Sequence, residues 1–262
     1  MEDLSRYNPE GSTLRKAQLR MLSILIEVDK IFHKNNIPYF LHGGTLLGAA
    51  RHGGFIPWDD DLDIAVLQKD IPKIRKILST ELPDNLSYQD IRTDYNYYMV
   101  ISKVRDKNSL FEEQHTERLI EKGLYIDLIP IEPVVNQRIK DVIDFVYIRS
   151  LRGIHNYSNR FIEKFLGYLC FPFIRLAVAL CRGWAKCFPS HKWGNAYGWM
   201  TPRHFDEDMI FPLSTMKFEG YEFASPARPD IFLTTNYGNY MQIPPEDKRV
   251  THMATITFLD EK

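Results

Sequence analysis

The sequence has little of what marks secreted proteins. It contains only three cysteines, Cys170, Cys181 and Cys187, an odd number within one short segment, which does not resemble a disulfide framework. The first residues, MEDLSRYNPEGS, lack the basic and apolar regions of a secretory signal. We therefore expect a cytoplasmic protein with reduced thiols.

Excess charge of one sign is also absent. The formal net charge is −1, which argues against general binding to nucleic acid or another polyanion. The average hides an uneven distribution, because the stretch from Gln137 to Lys192 has ten Lys or Arg against three acids. The sequence therefore predicts one basic surface on an otherwise acidic protein.

No apolar run reaches the length that spans a bilayer. Residues 166–181 hold almost nothing polar, but they number sixteen and contain Pro172 and Arg175, whereas about 20 apolar residues are needed. This segment predicts either a pair of core helices or an interfacial helix docked on an anionic leaflet. The interfacial interpretation depends on the flanking residues Arg160, Lys164, Arg182, Trp184, Lys186 and Phe188.

With 262 residues and 44% apolar composition, the chain can bury a large core. Apolar periodicity predicts helices and strands in mixed order, hence an α+β sheet core. Predicted helices cover residues 14–34 (capped by Ser12 or Thr13), 45–51, 70–79 and 228–240, with a basic helical segment over 136–188. Predicted strands cover residues 37–41, 61–67, 86–92, 97–105, 124–129, 215–218 and 221–224.

The densest chemistry lies in YFLHGGTLLGAARHGGFIPWDDDLDIAV, residues 39–66, where four aspartates fall within five positions. Period-two alternation places Asp61 and Asp63 on one face of a strand, while Asp59 and Asp60 shape the preceding turn or join the site. Carboxylate pairs suit Mg²⁺ or Mn²⁺. Asp127, a single acid inside the apolar run LYIDLIP, is the best candidate for a third ligand. A calcium-binding or solvated acidic loop, or capping by Asp59 and Asp60, is the alternative.

The glycine pair Gly43 and Gly44 opens a short helix. Backbone N–H groups at such a turn can approach a phosphate closely. Thr45 could add a hydroxyl and Arg51 a two-pronged phosphate contact. The pattern predicts a metal-dependent transfer site that binds donor phosphates.

Three weaker signals have two interpretations each. Trp193, Tyr197 and Trp199 form either a cage for a quaternary ammonium or, more simply, a packed aromatic core. His52 and His252 either assist proton transfer or are structural. The cysteines with His191 lack the spacing of a common zinc site, which favours buried thiols.

The stretch GGTLLGAARHGGFIPWDDDLDI, residues 43–64, resembles the leading motif of the LicD family of phosphotransferases, and YIDLIPIEP, residues 125–133, resembles the strand with the family's third acid. The C-terminal FEG, YGNYM and PP segments and His252 are similar to the family's ending. The resemblance implies a nucleotidyltransferase-like mixed β-sheet flanked by helices, with an inserted or appended helical segment. We predict a catalytic core over 1–135, a basic helical segment over 136–190, and a C-terminal part over 191–262 packing on the core.

The resemblance also implies the reaction: a phospho-alcohol, such as phosphocholine or a polyol phosphate, moves from a CDP-linked donor to a cell-surface glycan, with release of CMP. Related proteins act on teichoic acids, lipopolysaccharide or glycoprotein glycans. Asp61, Asp63 and Asp127 would hold the metal, with Gly43, Gly44 and Thr45 against the donor phosphates. A lipid-linked glycan acceptor would explain peripheral association with the inner face of the plasma membrane. A nucleotidyltransferase acting on a small acceptor and a catalytically silent partner of a glycan synthase remain the alternatives.

Overall fold

The computed structural model describes residues 3–112, 117–155, 161–199, 204–249 and 255–261. The helices are α1 (Thr13–Lys34), α2 (Gly43–His52), α3 (Ile71–Glu81), α4 (Gln137–Ile154), α5 (Phe161–Cys187), α6 (Glu207–Ile210) and α7 (Pro229–Tyr237). The strands are β1 (Tyr39–Leu41), β2 (Asp63–Leu67), β3 (Leu86–Gln89), β4 (Ser102–Asp106), β5 (Ser109–Glu112), β6 (Tyr125–Pro133), β7 (Lys192–Asn195), β8 (Phe205–Asp206), β9 (Ser214–Phe218), β10 (Tyr221–Ser225) and β11 (Thr255–Phe258).

A seven-stranded mixed sheet forms the centre of the molecule and confirms the predicted sheet flanked by helices. Its main path is β1-β2-β6-β4-β3, in which only β2 and β6 run parallel. The long β6 strand pairs with β4 along its first half and with β7 along its end, and β8 pairs with β7. Two small antiparallel pairs, β9-β10 and β5-β11, lie outside this sheet.

Helix α1 has both the cap and the buried apolar spacing that the sequence predicts. Ser12 accepts a hydrogen bond from the Arg15 N–H and caps the helix, as predicted. Met21, Leu25 and Phe32 recur at helical spacing and are almost fully buried. This face packs against β4, β6 and α3, so α1 covers the sheet.

Helix α2 is held very close to the segment that follows it. A Cβ at Gly48 would lie 2.4 Å from the Gly54 carbonyl oxygen, so no larger residue fits there. Gly53 ends the helix in the left-handed conformation, with φ of 71°. The small residues of this stretch therefore bring the chain back against its own helix, directly ahead of the aspartates.

Several element predictions need correction. The strand predicted over residues 97–105 begins at Ser102, so residues 97–101 lie before it. The strand predicted over residues 61–67 begins at Asp63, so Asp61 lies before it. The short strands β5, β7, β8 and β11 were not predicted, because β7, for example, reads Lys-Trp-Gly-Asn and has no alternating pattern. Its pairing is supplied by β6, more than fifty residues away in sequence, which local periodicity does not contain. The three-part division of the chain stays a prediction, and β7 joins its last part to the central sheet.

The basic middle segment forms a close helical hairpin, α4 and α5. A Cβ at Gly167 would meet the Ser150 carbonyl oxygen at 2.9 Å, and one at Gly153 would meet the Glu163 carbonyl oxygen at 2.4 Å. The helix is longer than the sixteen-residue apolar run in the sequence, since α5 has 27 residues. By length and composition alone, α5 could cross a membrane, although the same test is passed by some helices of soluble proteins.

A buried ion pair fixes this hairpin to the segment after β7. Lys140 and Asp144 are almost fully inaccessible and form a short salt bridge. Lys140 also donates to the Trp199 carbonyl oxygen (2.9 Å), and Asp144 accepts from the Gly198 N–H (2.8 Å). Burial lowers the pKa of Lys140 and raises that of Asp144, so each charge depends on the other.

We expect Lys140→Met to lower the free energy of unfolding by about 3–5 kcal/mol, because it leaves the Asp144 charge buried without its partner. Urea denaturation followed by circular dichroism measures the change. Lys30→Met is the matched control: Lys30 is exposed and forms a surface ion pair with Glu27, so a loss under about 1 kcal/mol is expected. Equal losses in the two variants would contradict the assigned role of Lys140.

Candidate active site

The central feature is a row of charged side chains across three neighbouring strands. Asp63 on β2 lies directly opposite Asp127 on β6, and Asp127 lies opposite Lys103 on β4. Residues opposite one another point to the same face of a sheet. The adjacent row, Ile64, Leu128 and Ser102, points to the other face and is buried. The fold thus brings together two acids that are 64 residues apart in sequence.

Asp63 is strained electrostatically. Burial raises its pKa well above the ordinary value of 3.8, and the nearby charges of Asp127, Asp61 and Asp59 raise it further, in that order. The charge of Lys103 acts in the opposite direction but is outweighed. The neighbouring carboxylates therefore repel one another, which disfavours ionisation of Asp63.

Lys103 partly neutralises this cluster. Its Nζ donates to Asp127 Oδ1 at 2.7 Å and lies 3.2 Å from the centre of the Tyr125 ring. The Lys103 side chain is only 4% exposed, so the ion pair is shielded from solvent. Sequence inspection did not single out Lys103, because nothing in SKVRD indicates that this lysine faces Asp127 once β4 and β6 pair.

The loop before β2 brings a second group of acids beside this row. The carboxylates of Asp59, Asp60 and Asp61 lie within 4.8 Å of one another, and Asp60 is 3% exposed. The loop is pinned by Gln18 of α1, whose side-chain amide donates to the Asp59 carbonyl oxygen at 2.9 Å. Asp61 therefore groups with its neighbours in the turn. This corrects the expectation that Asp61 and Asp63 share one strand, whereas the Asp61 charge still acts on Asp63 and its role as a metal ligand stays a prediction.

The first glycine pair makes room for these carboxylates. A Cβ at Gly43 would lie 2.5 Å from Asp63 Oδ2, and one at Gly44 would lie 2.8 Å from Asp59 Oδ2. Gly43 also has a φ of +53°, which favours glycine. The positive φ favours glycine at Gly43, whereas at Gly44 the close atom is the end of a flexible side chain, and contact of either residue with donor phosphates stays a prediction.

Thr45 fixes the backbone of Asp63. Its hydroxyl oxygen accepts a hydrogen bond from the Asp63 N–H at 2.8 Å, and the residue is 3% exposed. The start of β2 is thereby fixed to the first turn of α2. The hydroxyl keeps its own proton to donate, so the predicted phosphate contact of Thr45 stays a prediction.

Arg51 contacts the C-terminal part of the chain. Its NH1 group donates to the carbonyl oxygens of Tyr240 (3.2 Å) and Gln242 (3.3 Å), and its Nε donates to His52 Nε2 (2.9 Å). Burial and then the Arg51 charge lower the pKa of His52 to about 4, which makes His52 a weak base near neutral pH. These contacts disfavour His52 as a proton acceptor and give Arg51 a role in holding residues 240–242.

The second glycine pair is held by a carboxylate clamp. Glu219 accepts two hydrogen bonds from Arg15 (2.7 and 3.1 Å) and one from the Phe55 N–H (3.0 Å). A Cβ at Gly54 would lie 2.2 Å from Glu219 Oε1. Glu219 and Gly220 both have positive φ and form the two-residue turn between β9 and β10. The FEG segment therefore has a structural function, which is to anchor the loop that leads to Asp59.

Two tyrosines border the acids and were not among the predicted site residues. Burial, followed by the charges of Asp63 and Asp59, raises the pKa of Tyr237 to about 12. Tyr97 is 1% exposed, and its hydroxyl has no hydrogen-bond partner within the described residues. The Asp127 charge raises the pKa of Tyr97 in addition to burial, so its ring lies near the row. A lone tyrosine carries no distinctive sequence signal, which is why neither was found.

The remaining candidates do not join the row. Tyr197 is buried with Ile143 and Val178, whereas Trp193 packs on the main core beside Phe211, which favours the aromatic-core interpretation over a cage. Trp199 contacts Lys140 through its carbonyl oxygen. His252 lies outside the described residues. The three cysteines are free.

Comparison with known proteins gives one family and several relatives. Residues 36–168 match the model described as LicD/FKTN/FKRP, nucleotidyltransferase domain, which spans half of the chain and includes the Asp63 and Asp127 strands. The chain is 26% identical over 271 aligned positions to the lipopolysaccharide cholinephosphotransferase LicD of Haemophilus influenzae, covering 92% of this chain and 96% of that protein. It is 44% identical over 45 residues to the human ribitol 5-phosphate transferase FKRP, covering 17% of this chain and 9% of that protein.

The charge row makes a prediction for the metal-free protein. Because the folded-state pKa of Asp63 lies above 3.8, protonated Asp63 favours the folded state. That contribution is complete below about pH 4 and is lost as the pH rises through the folded-state pKa. Asp63→Asn imitates the protonated form at every pH. In EDTA at about pH 7.5, we expect this variant to unfold with a free energy about 0.5–2 kcal/mol higher than the wild type.

Urea denaturation at several pH values measures this difference, which should shrink towards pH 4. The control is Asp84→Asn, a change at an exposed turn residue outside the cluster, which should show no such pH dependence. If metal-free Asp63→Asn were less stable than the wild type near neutral pH, the assigned repulsion would be wrong.

Proposed function

The chain belongs to the LicD/FKTN/FKRP nucleotidyltransferase family, and from that membership we propose that it transfers a phospho-alcohol from a CDP-linked donor to a glycan or its lipid-linked precursor, releasing CMP. The transferred group is of the phosphocholine or polyol phosphate type, in line with the names of its relatives. The observation that carries the proposal is the row of Asp63, Asp127 and Lys103 beside the two glycines.

The type of the central sheet is also a proposal that rests on family membership. We propose that the mixed sheet is of the nucleotidyltransferase type, with Gly43 and Gly44 at the start of a helix and the acids on the strand that follows. The description of the matching family model supports this assignment. The parallel β2-β6 pair supports it further, because it puts an acid from each strand at the same level.

A divalent cation fits this donor set. Asp63 and Asp127 offer carboxylate oxygens, and burial followed by the neighbouring negative charges raises the pKa of Asp63. We propose that Asp63 and Asp127 hold Mg²⁺ or Mn²⁺, with Asp61 or Asp60 contributing from the turn. When bound, such a cation would stabilise negative charge on the donor phosphates.

The residues of the chain have separate tasks in this proposal. Gly43 and Gly44 keep the helix start close to the carboxylates, and Thr45 fixes the backbone of Asp63. Lys103 holds Oδ1 of Asp127, which orients the other oxygen towards the cation, and the acceptor hydroxyl gives its proton to solvent water. The acceptor oxygen then bonds to the distal phosphorus of the donor as the bond to the bridging oxygen breaks, and CMP departs.

Cytoplasmic localisation is part of the same proposal. The three free cysteines are consistent with a reducing compartment. A glycan acceptor is in line with the names of the relatives, which include a lipopolysaccharide cholinephosphotransferase.

Product analysis tests the reaction. With Mn²⁺ or Mg²⁺ and CDP-choline or CDP-ribitol, we expect phosphorus NMR to show CMP and a new phosphodiester in the glycan acceptor. Asp63→Ala should lower the rate by about a hundredfold or more, because it removes a proposed ligand of the cation that would stabilise charge on the reacting phosphate. Asp84→Ala, at an exposed turn, is the control and should keep the wild-type rate.

Other outcomes separate the alternatives. Pyrophosphate in place of CMP would identify a nucleotidyltransferase. Absence of turnover with CDP-, UDP- and GDP-linked donors would favour a catalytically silent partner. Full activity in Asp63→Ala would contradict the proposed metal site.

A further inference from the structure

The most unusual surface of the molecule is the outer side of α5. Only Gly167 and Val178 are buried among its described residues, although the helix is one of the most apolar stretches of the chain. Its large exposed side chains repeat at intervals of three or four residues and form one continuous stripe. The stripe comprises Ile162, Leu166, Leu169, Phe173, Leu176, Leu180, Trp184 and Phe188, which are 48–69% exposed.

Further apolar side chains widen this stripe. Phe161, Phe165 and Tyr168 flank it on α5, and Ile139, Val142 and Phe145 are exposed on α4. We call this combined surface the apolar face. Soluble monomers seldom leave so large a contiguous apolar surface in water. The face therefore indicates a partner rather than a solvated exterior.

The opposite side of α5 is anchored to the protein. Val178 packs with Ile143 and Tyr197, and Gly167 lies against the backbone of α4. Arg182 makes two hydrogen bonds to Glu132 of β6, at 2.6 and 2.9 Å. This pair corrects the sequence interpretation, in which Arg182 faced a lipid surface. Because one side is held along α4 and the other is exposed, α5 is placed to lie on a surface rather than to cross it.

Charge on the same two helices points to the kind of partner. The exposed basic residues are Arg138, Arg149, Arg152, Arg175 and Lys186, against the exposed acids Asp141 and Glu163. Two copies of this net-positive hairpin would repel each other, whereas an anionic lipid surface would attract it. Basic residues around a broad apolar stripe are typical of helices that lie in a membrane interface.

We propose that the apolar face of α4 and α5 docks on an anionic phospholipid leaflet, with the stripe in the lipid and the basic residues at the headgroups. The docking itself does not depend on the proposed reaction.

The hairpin also contacts the loop that leads to the candidate site. The Tyr95 hydroxyl donates to the Ile154 carbonyl oxygen at 3.4 Å, and Arg152 lies over the Tyr98 ring at 5.7 Å. Between them in sequence, Tyr97 is buried, close enough to Asp127 for that charge to add to burial in raising its pKa. A leaflet under the hairpin would therefore lie close to the row of Asp63, Asp127 and Lys103. This position suits a lipid-linked acceptor, and that consequence rests on the proposed function.

Co-sedimentation of the full-length chain with vesicles tests the docking. We expect binding to vesicles of phosphatidylcholine mixed with phosphatidylglycerol, and weaker binding at high salt or without the anionic lipid. The double variant Phe173→Glu with Leu180→Glu should lower the vesicle affinity roughly tenfold or more. The control, Tyr221→Glu with Leu259→Glu, changes two side chains of similar exposure outside the face and should bind as the wild type does.

A fluorescence measurement reports the position of the face directly. Trp184 is 56% exposed, so its emission should be quenched by brominated lipids, and Trp184→Phe should remove most of that quenching. Unchanged unfolding curves would show that the variants are folded.

Two results would overturn the proposal. One is vesicle binding that is absent, or equal in the stripe and control variants. The other is a dimer in light scattering that the stripe variant dissociates while vesicle binding stays the same, which would assign the face to self-association.

Discussion

The structure depends on one electrostatic constraint, which is that two acids are held side by side by the pairing of parallel strands. The register of β2 and β6 sets Asp63 opposite Asp127, and sheet geometry leaves these side chains little freedom to separate. The surrounding features follow from this contact. Gly43 and Gly44 leave space for the carboxylates, Thr45 fixes the backbone of Asp63, and Lys103 offsets part of the charge. Stability of the fold alone does not require two carboxylates to be held side by side. We therefore interpret this arrangement as a site for a cation and phosphates.

Much of this could be predicted from the sequence, and the limit is set by the range of the interactions. The helix α1 and its Ser12 cap, the hairpin β9-β10 and the apolar strand around Asp127 are local patterns, and the structure agrees with them. Asp61 was placed on the strand of Asp63 because alternation was extended through a turn that Gln18 of α1 holds from a distance. Lys103 and Tyr97 were missed because their neighbours come from other strands and loops. Arg51 and Arg182 were interpreted as ligand-binding charges, whereas each has a structural partner that only the tertiary fold supplies.

The loop of residues 94–100 connects the candidate site with the α4-α5 hairpin. On one side this loop places Tyr97 beside Asp127, and on the other it contacts the end of the α4-α5 hairpin through Tyr95 and Tyr98. The hairpin is fixed to the core by the buried pair of Lys140 and Asp144 and leaves its apolar face outside. The molecule therefore combines a charged, half-buried site with an apolar surface at a defined position. Such a combination suits a transferase whose acceptor is presented at a membrane.

The central claim is that Asp63 and Asp127 together hold a divalent cation. Titration of the full-length chain with Mn²⁺, with the free ion counted by electron paramagnetic resonance, tests it without reference to any substrate. The account predicts one or two bound Mn²⁺ per chain, with affinity lowered about tenfold or more in Asp63→Asn and in Asp127→Asn and unchanged in Asp84→Asn. Absence of binding to the wild type, or equal affinity in all four proteins, would contradict it.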